Sequence, residues 1–239
     1  MPNPVFNRRL TGRIDYFIDG HPDFPERLWG VEHWRMTHHA DGHRVMRAYC
    51  ELHDDPPLIR DVIQCVDADY HPHDSFVRLT SDNRFFGSTW YRFDDHEAEY
   101  QGFTAQRGRI TDSTTISRAM RGFGSHNLGS DAWLTARYDY SRGTGTQFFE
   151  NNLLTSLDHR GATGPEFARS KSGLEYFGIE EVTVPAGTFE CHHFAIVGTS
   201  HNHPPYDYWV TTDGDYLYIK GIVTEPYNWS FELMELDVA

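Results

Sequence analysis

Apolar and polar residues alternate with a period of two along most of this chain, the mark of strands that bury one face. The first such run is Leu10 to Ile18, which stops at Asp19-Gly20 and is followed by the proline-containing segment His21 to Arg27. Two further runs, Trp29 to His38 and His43 to His53, are split by Ala40-Asp41-Gly42 and predict a hairpin. Pro56-Pro57 ends that unit. Ile59 to Asp67, Ser75 to Thr80, Ser88 to Phe93, Glu97 to Gln106 and Arg109 to Ser117 then predict successive strands of a meander. Ser81-Asp82-Asn83 and Asp94-Asp95 supply turn chemistry between them. Ala132 to Tyr140 predicts another strand. Thr146 to His159 predicts a helix, because Phe148, Phe149, Leu153, Leu154 and Leu157 can share one helical face. After a polar loop from Gly161 to Gly173, strands are expected over Leu174 to Val184, Thr188 to Gly198, Tyr206 to Thr212, Tyr216 to Thr224 and Trp229 to Asp237. Asp213-Gly214-Asp215 marks a hairpin turn among them.

About a dozen strands and one helix are too many strands for a doubly wound α/β fold. The expected class is mainly β, a large curved antiparallel sheet forming an open or closed barrel with one or two helices. Residues 1–239 are read as one domain around one core, a size that sandwiches and barrels commonly reach. Apolar residues make up 38% of the chain and aromatics 15%, so Phe, Tyr and Trp must supply much of the burial.

The formal charge of −14 excludes a polyanionic partner unless basic residues are concentrated, and no basic run exists. Nucleic acid and membrane insertion are therefore not expected. Lys171 and Lys220 are the only lysines, which leaves few candidates for Schiff-base chemistry. Cys50, Cys65 and Cys191 are odd in number and far apart, so buried free thiols are expected rather than disulfides or a thiolate zinc site. The N-terminus has no apolar leader pattern and no run of 18 apolar residues occurs, so the chain is read as cytoplasmic. Asn228-Trp229-Ser230 matches a glycosylation acceptor that such a location would leave unused.

The run Val182-Thr183-Val184-Pro185-Ala186-Gly187-Thr188-Phe189-Glu190-Cys191, with Tyr208-Trp209 and Asp213-Gly214 after it, resembles a motif of a bacterial domain family of unknown function. Members of that family look like the LolA/LolB lipoprotein carriers in fold. The resemblance covers residues 174–223 and implies an unclosed barrel around an apolar cavity plugged by a helix. It supplies no catalytic residues. On the residues alone, Pro185 and Gly187 predict a tight turn and Phe189 the start of the return strand.

A polar residue in phase with an apolar strand face is aimed into the core, where it must be satisfied or functional. His38 follows Trp34 and Met36, Asp67 follows Ile63 and Cys65, Tyr91 precedes Phe93, His193 falls between Cys191 and Ala195, and Tyr208 precedes Val210. Histidine titrates near ~6.5 and so exchanges protons at neutral pH. His38 or His193 is thus the expected base, Tyr91 and Tyr208 the donors, and Asp67 the group that orients a histidine. The competing reading of each of these five is a core polar residue bonded to backbone.

For metals, His201-Asn-His203 with Asp207 and Gly214 beyond resembles the first metal motif of the cupins, with Asp for Glu and with Pro204-Pro205 interrupting the strand. His71-Pro-His73, with Asp69 and Asp74 beside it, reads mainly as a solvated turn. No P-loop, nucleophile elbow or dinucleotide fingerprint is present, and no cofactor is expected. Glu180-Glu181 alternate across a strand and cannot act as one carboxylate pair.

These features together predict a cofactor-independent isomerase, lyase or hydratase acting on a hydrophobic, aromatic or polycyclic small molecule in a barrel cavity. A non-catalytic hydrophobic-ligand or lipid carrier of the same shape is the alternative, and a metal enzyme using His201, His203 and Asp207 is the third.

Overall fold

A computed structural model describes residues 8–20, 27–117, 120–200, 203–224 and 228–239. Strands β1 (Arg8–Ile18), β2 (Leu28–His38), β3 (Arg44–Leu52), β4 (Leu58–Val66), β5 (Pro72–Ser81), β6 (Arg84–Phe93), β7 (Glu97–Thr104) and β8 (Gly108–Thr115) form one continuous meander. A second meander runs through β9 (Gly145–Leu154), β10 (Ala168–Val184), β11 (Gly187–Val197), β12 (Tyr206–Thr211), β13 (Tyr218–Val223) and β14 (Trp229–Val238). β14 pairs antiparallel with β1, which joins the two meanders into a single fourteen-stranded sheet.

The sheet coils but does not close. Its edges are β8 and β9, and no ladder joins them. Extra residues interrupt the register between β1 and β2, between β9 and β10 and between β10 and β11, and each such bulge strengthens the local twist. Across the gap, the Arg169 guanidinium on β10 donates to the Thr115 carbonyl on β8 at 3.0 Å. The loop after β9 is held against the sheet as well, with the buried Thr89 hydroxyl donating to the Pro165 carbonyl at 2.7 Å. A sheet of this curvature leaves a concave side that must be filled.

It is filled by residues 120–142, which lie between the two meanders. The segment contains a short helix α1 (Leu128–Asp131) and 3-10 turns over Ala132–Arg137 and Tyr140–Arg142. Phe123 and Trp133 are both 0% exposed within it. Tyr138 and Tyr140 extend it towards β10 and β11, meeting Phe194 and His192 at ring separations of 5.3 and 4.7 Å.

Two sequence expectations exchange places here. Residues 146–159, expected as a helix, form strand β9 and the loop after it, whereas residues 132–140, expected as a strand, form the 3-10 turn of the plug. The apolar spacing in 146–159 imitates a helical face because of a bulge. Asn151 adopts a left-handed φ of 60°, which asparagine tolerates better than most residues, and the inward phase shifts from Gln147 to Asn152. Phe148 and Leu157, two of the five residues assigned to the shared face, remain exposed.

A buried carboxylate on β2 anchors the plug. Glu32 is 0% exposed and accepts from the backbone N–H groups of Leu128 at 2.8 Å and Gly129 at 2.9 Å, the free donors at the start of α1. Tyr16 donates its hydroxyl to the same carboxylate at 2.7 Å, and the Cys50 thiol approaches at 3.4 Å. Gln64 on β4 adds a second tether, donating to the Phe123 carbonyl at 3.1 Å and accepting from the Ser125 hydroxyl at 2.7 Å.

Candidate functional site

Plug and both meanders line a cavity of about 140 Å³. Its walls are mostly rings and aliphatic chains: Tyr16 and Trp29 from the first meander, Leu128 and Leu134 from the plug, Ile196, Tyr206, Tyr208 and Trp229 from the second. Trp29 and Trp229 stack at 4.6 Å, and Tyr206 and Tyr208 stack at 5.4 Å. The Tyr206 and Tyr218 hydroxyls are bonded to one another, and burial drives both well above the ordinary phenol pKa.

Polar groups enter this apolar space from three directions. From the plug come His126, Asp131 and Arg137. Desolvation pulls His126 down to about 3, helped by the nearby Arg60 charge, so its ring is neutral while it shares a 3.0 Å hydrogen bond with the Ser156 carbonyl. Asp131 is pushed up to about 7, chiefly by desolvation, against the opposing pull of its hydrogen bond from the Ser125 N–H at 3.0 Å. Arg137 is lowered to about 10, again by desolvation. The guanidinium of Arg137 stacks 4.4 Å over the Phe149 ring and donates to Asn152 Oδ1 at 2.6 Å.

From β9 and β10 come Asn152, Ser170 and Ser172, a patch of small polar residues facing Arg137. The bulge at Asn151 brings Asn152 into that patch, since without it β9 would present the opposite phase, while Ser170 and Ser172 lie in the regular inward phase of β10. From the loop after β9 come His159 and Arg160, the latter paired with Asp54 at 3.1 Å, while Asp54 also accepts from Trp29 Nε1 at 2.7 Å.

Of the five residues expected to carry chemistry, Tyr208 alone lines this cavity, and burial pushes its hydroxyl up to about 12. Tyr91 is 0% exposed in a separate aromatic cluster, with Phe123, Phe167 and Tyr100 at 5.0, 5.4 and 6.0 Å. Asp67 shapes a turn, accepting from the His71 and Asp69 N–H groups at 2.9 Å each and pairing with His71 Nδ1 at 3.0 Å. His38 pairs with the buried Asp215 at 3.0 Å, a carboxylate that Arg8 and Arg44 also approach.

His193 sits on the other side of the sheet. On β11 it is His192, Phe194 and Ile196 that face the plug and cavity, so His193 faces outward. There it stacks 4.2 Å from Trp209 and lies between Glu180 and Asp207, each 3.1 Å away. The residues expected as one site are thus spread over several places in the fold.

His201 of the expected metal set lies outside the described residues. Of the other two, His203 contacts the Pro204 carbonyl at 2.8 Å and Asp207 pairs with His193. Among the described residues one other group brings ligand atoms together, the side chains of Cys65, His73 and Asp74, all within 4.8 Å of one another. Burial pushes the Cys65 thiol up to about 11, and His73 pairs with Asp74 at 2.8 Å.

Sequence reasoning passed over Arg137, Asp131 and His126. All three lie on irregular backbone, where alternation assigns no face. His126 has a left-handed φ of 62°, and Asp131 and Arg137 end short helical segments of four and six residues.

No family model and no curated protein matches the chain. Among solved structures it is similar to a β-barrel-like protein of the unknown-function family DUF1849 from Brucella abortus, with a TM-score of 0.60 and 9% identity over 98% of this chain and 99% of that one. A DUF1089 family protein from Pseudomonas aeruginosa gives 0.43 and 10% over 79% and 87%. The Brucella likeness, at so low an identity, establishes the architecture alone: the chain has the fold of bacterial barrel-like proteins of unknown function.

Proposed function

We propose that this protein binds a small, largely apolar molecule in the space between plug and sheet. The observation that carries the reading is the pocket itself, about 140 Å³ of largely ring-lined space between plug and sheet. Dry cavities of roughly 150 Å³ accept benzene, so the guest is expected to present a group of about one ring to this space. Interiors rarely keep a void of this size without use, because the lining atoms forfeit dispersion contacts. The motif in residues 174–223 resembles one of a domain family of unknown function whose members look like LolA/LolB in fold, and the apolar cavity that this resemblance implies agrees with such a role.

Binding is favoured over catalysis because the five residues expected to perform acid-base chemistry do not converge. A catalytic reading retains one specific support. Asp131 faces the cavity with a pKa of about 7, suited to exchanging a proton at neutral pH. Native mass spectrometry of the full chain incubated with single-ring and short-chain hydrophobes is expected to yield a one-to-one complex. Recovery of the guest unchanged from deuterated buffer fits a binder; guest that carries deuterium with the wild type and none with Asp131→Asn fits the enzyme. Absence of any complex across the panel contradicts both.

A further inference from the structure

The cavity and the chain carry opposite electrostatic character. The whole chain has a formal charge of −14, yet the lining of the cavity includes Arg60, Arg137 and Arg160 against the single carboxyl of Asp131. Two of these arginines have compensating charge inside the protein. Arg160 pairs with Asp54, and Arg60 lies in the field of Asp131 and of the plug-anchoring Glu32, close enough to affect groups bonded to them.

Arg137 has no such partner among the described residues. Its only polar contacts are the neutral side chains of Asn152 at 2.6 Å and Ser172 at 3.5 Å, and its Nε is buried without a hydrogen-bond partner. Guanidinium offers five N–H donors, so most of its capacity is uncommitted. A largely buried guanidinium with no counter-charge beside it is unfavourable to hold, and Arg137 keeps its proton at neutral pH. Neutral ligands gain nothing from that charge. A planar monoanion complements it, opposite in sign, equal in magnitude and with two acceptor oxygens that fit the donor fork.

The patch around Arg137 is suited to holding such a group. Asn152 and Ser172 are bonded to each other at 2.9 Å and fix the guanidinium from the β9–β10 side, while Phe149 covers one of its faces. Tyr208, on the β12 wall of the same cavity, keeps its proton far above neutral pH and so remains a hydroxyl donor.

Building on the cavity-binding reading above, we propose that the guest is a monocarboxylate whose apolar body occupies the ring-lined space and whose acid group is taken by Arg137. This names an acid-binding pole in an acidic protein, and it sets the guest's orientation: carboxylate towards β9 and β10, apolar end towards Trp29 and Trp229.

The test is calorimetric titration of the full chain with matched pairs that share a body and differ in head group, 3-phenylpropionate against 3-phenylpropanol and octanoate against octanol. At neutral pH the acid of a pair is expected to bind at least about ten-fold more tightly than its alcohol, the range of a charge-assisted hydrogen bond. Arg137→Gln is expected to abolish that preference while leaving alcohol affinity within about three-fold, which also reports that the variant is folded. Asn152→Asp covers the case in which Arg137→Gln does not fold. It is nearly isosteric and sets a carboxylate beside the guanidinium, so it is expected to suppress acid binding and to raise the urea midpoint. Equal affinity of acid and alcohol in the wild type overturns the carboxylate assignment and leaves the cavity reading standing. An acid preference that survives both variants overturns the role of Arg137. Failure of every acid and every alcohol to bind overturns the cavity reading itself.

Discussion

Replacing Glu32 with Ala is expected to lower stability by about 3–5 kcal/mol, the cost of removing one partner from a fully buried charged network. Glu32 is 0% exposed and accepts from Leu128 N–H, Gly129 N–H and the Tyr16 hydroxyl, so its loss leaves at least three donors unsatisfied in a dry interior. The consequence reaches beyond the local bonds. Two of those donors begin the plug helix, and without them residues 128–131 lose their fixed position against β2. The expected signature is a lower urea midpoint together with altered near-ultraviolet circular dichroism from Trp133, which is buried one turn further on. Glu32→Gln keeps an acceptor oxygen and is expected to cost less than Ala. A loss below about 1 kcal/mol for Glu32→Ala would mean that packing alone holds the plug.

The second large effect is on the pH dependence of stability, where two neighbouring plug residues act in opposite directions. Asp131 has its folded-state pKa raised to about 7 from 3.8. Its contribution is therefore fully present below the unfolded value and is lost as pH rises from about 4 to about 7, an upper figure of ~4 kcal/mol at 1.36 kcal/mol per unit. His126 is lowered to about 3 from 6.5, so its contribution is present above the unfolded value and is lost as pH falls from about 6.5 to about 3. The groups nearest Asp131 are Arg60, which lowers it, and Glu32, which raises it, and Arg60 also depresses His126. Urea midpoints are expected to show Asp131→Asn gaining on the wild type at pH 8 with little difference at pH 4. His126→Gln is expected to behave in the reverse way, level with the wild type at pH 8 and ahead at pH 4. Profiles that run parallel for all three proteins would contradict the burial assigned to both residues.

The strands were legible because alternation survives wherever one face is buried. In β3 the buried Met46, Ala48, Cys50 and Leu52 alternate with the outward Arg47 and Tyr49, and β3 pairs with β2 as the expected hairpin. Bulges are what alternation misses, since one extra residue reverses the phase without any large change in composition. The bulge at Asn151 makes β9 look helical, and on β11 Cys191 and Ala195 are buried as well as Phe194, so alternation does not tell which face His193 shares.

The in-phase polar residues that tether the plug are Glu32 and Gln64, neither of which is among the five expected to carry chemistry. On β2 the phase that contains Trp34 and Met36 also contains Glu32, the anchor of the plug, and on β4 the inward phase is Leu58, Arg60, Val62, Gln64 and Val66. Asp67 was chosen by following Ile63 and Cys65, which are the outer phase of that strand: Ile63 is 38% exposed. The cavity residues Arg137 and Asp131 had no comparable signal, because their positions depend on how the plug is tethered from β4 and β2 across 59 and 96 residues of chain.

The central claim is that a ring-sized space lies between plug and sheet, and xenon tests it without any assumption about the natural guest. Xenon enters apolar cavities of this size and leaves close-packed interiors unmarked. Heteronuclear NMR of the full chain under xenon pressure is expected to show saturable shifts at Leu134, Ile196 and Val223, which line the cavity, and none at Leu10 or Val77, which are buried in the sheet core. Ile196→Trp, which fills the space, is expected to abolish them. Shifts that are absent, or that are spread evenly over the core and persist in Ile196→Trp, would contradict the account.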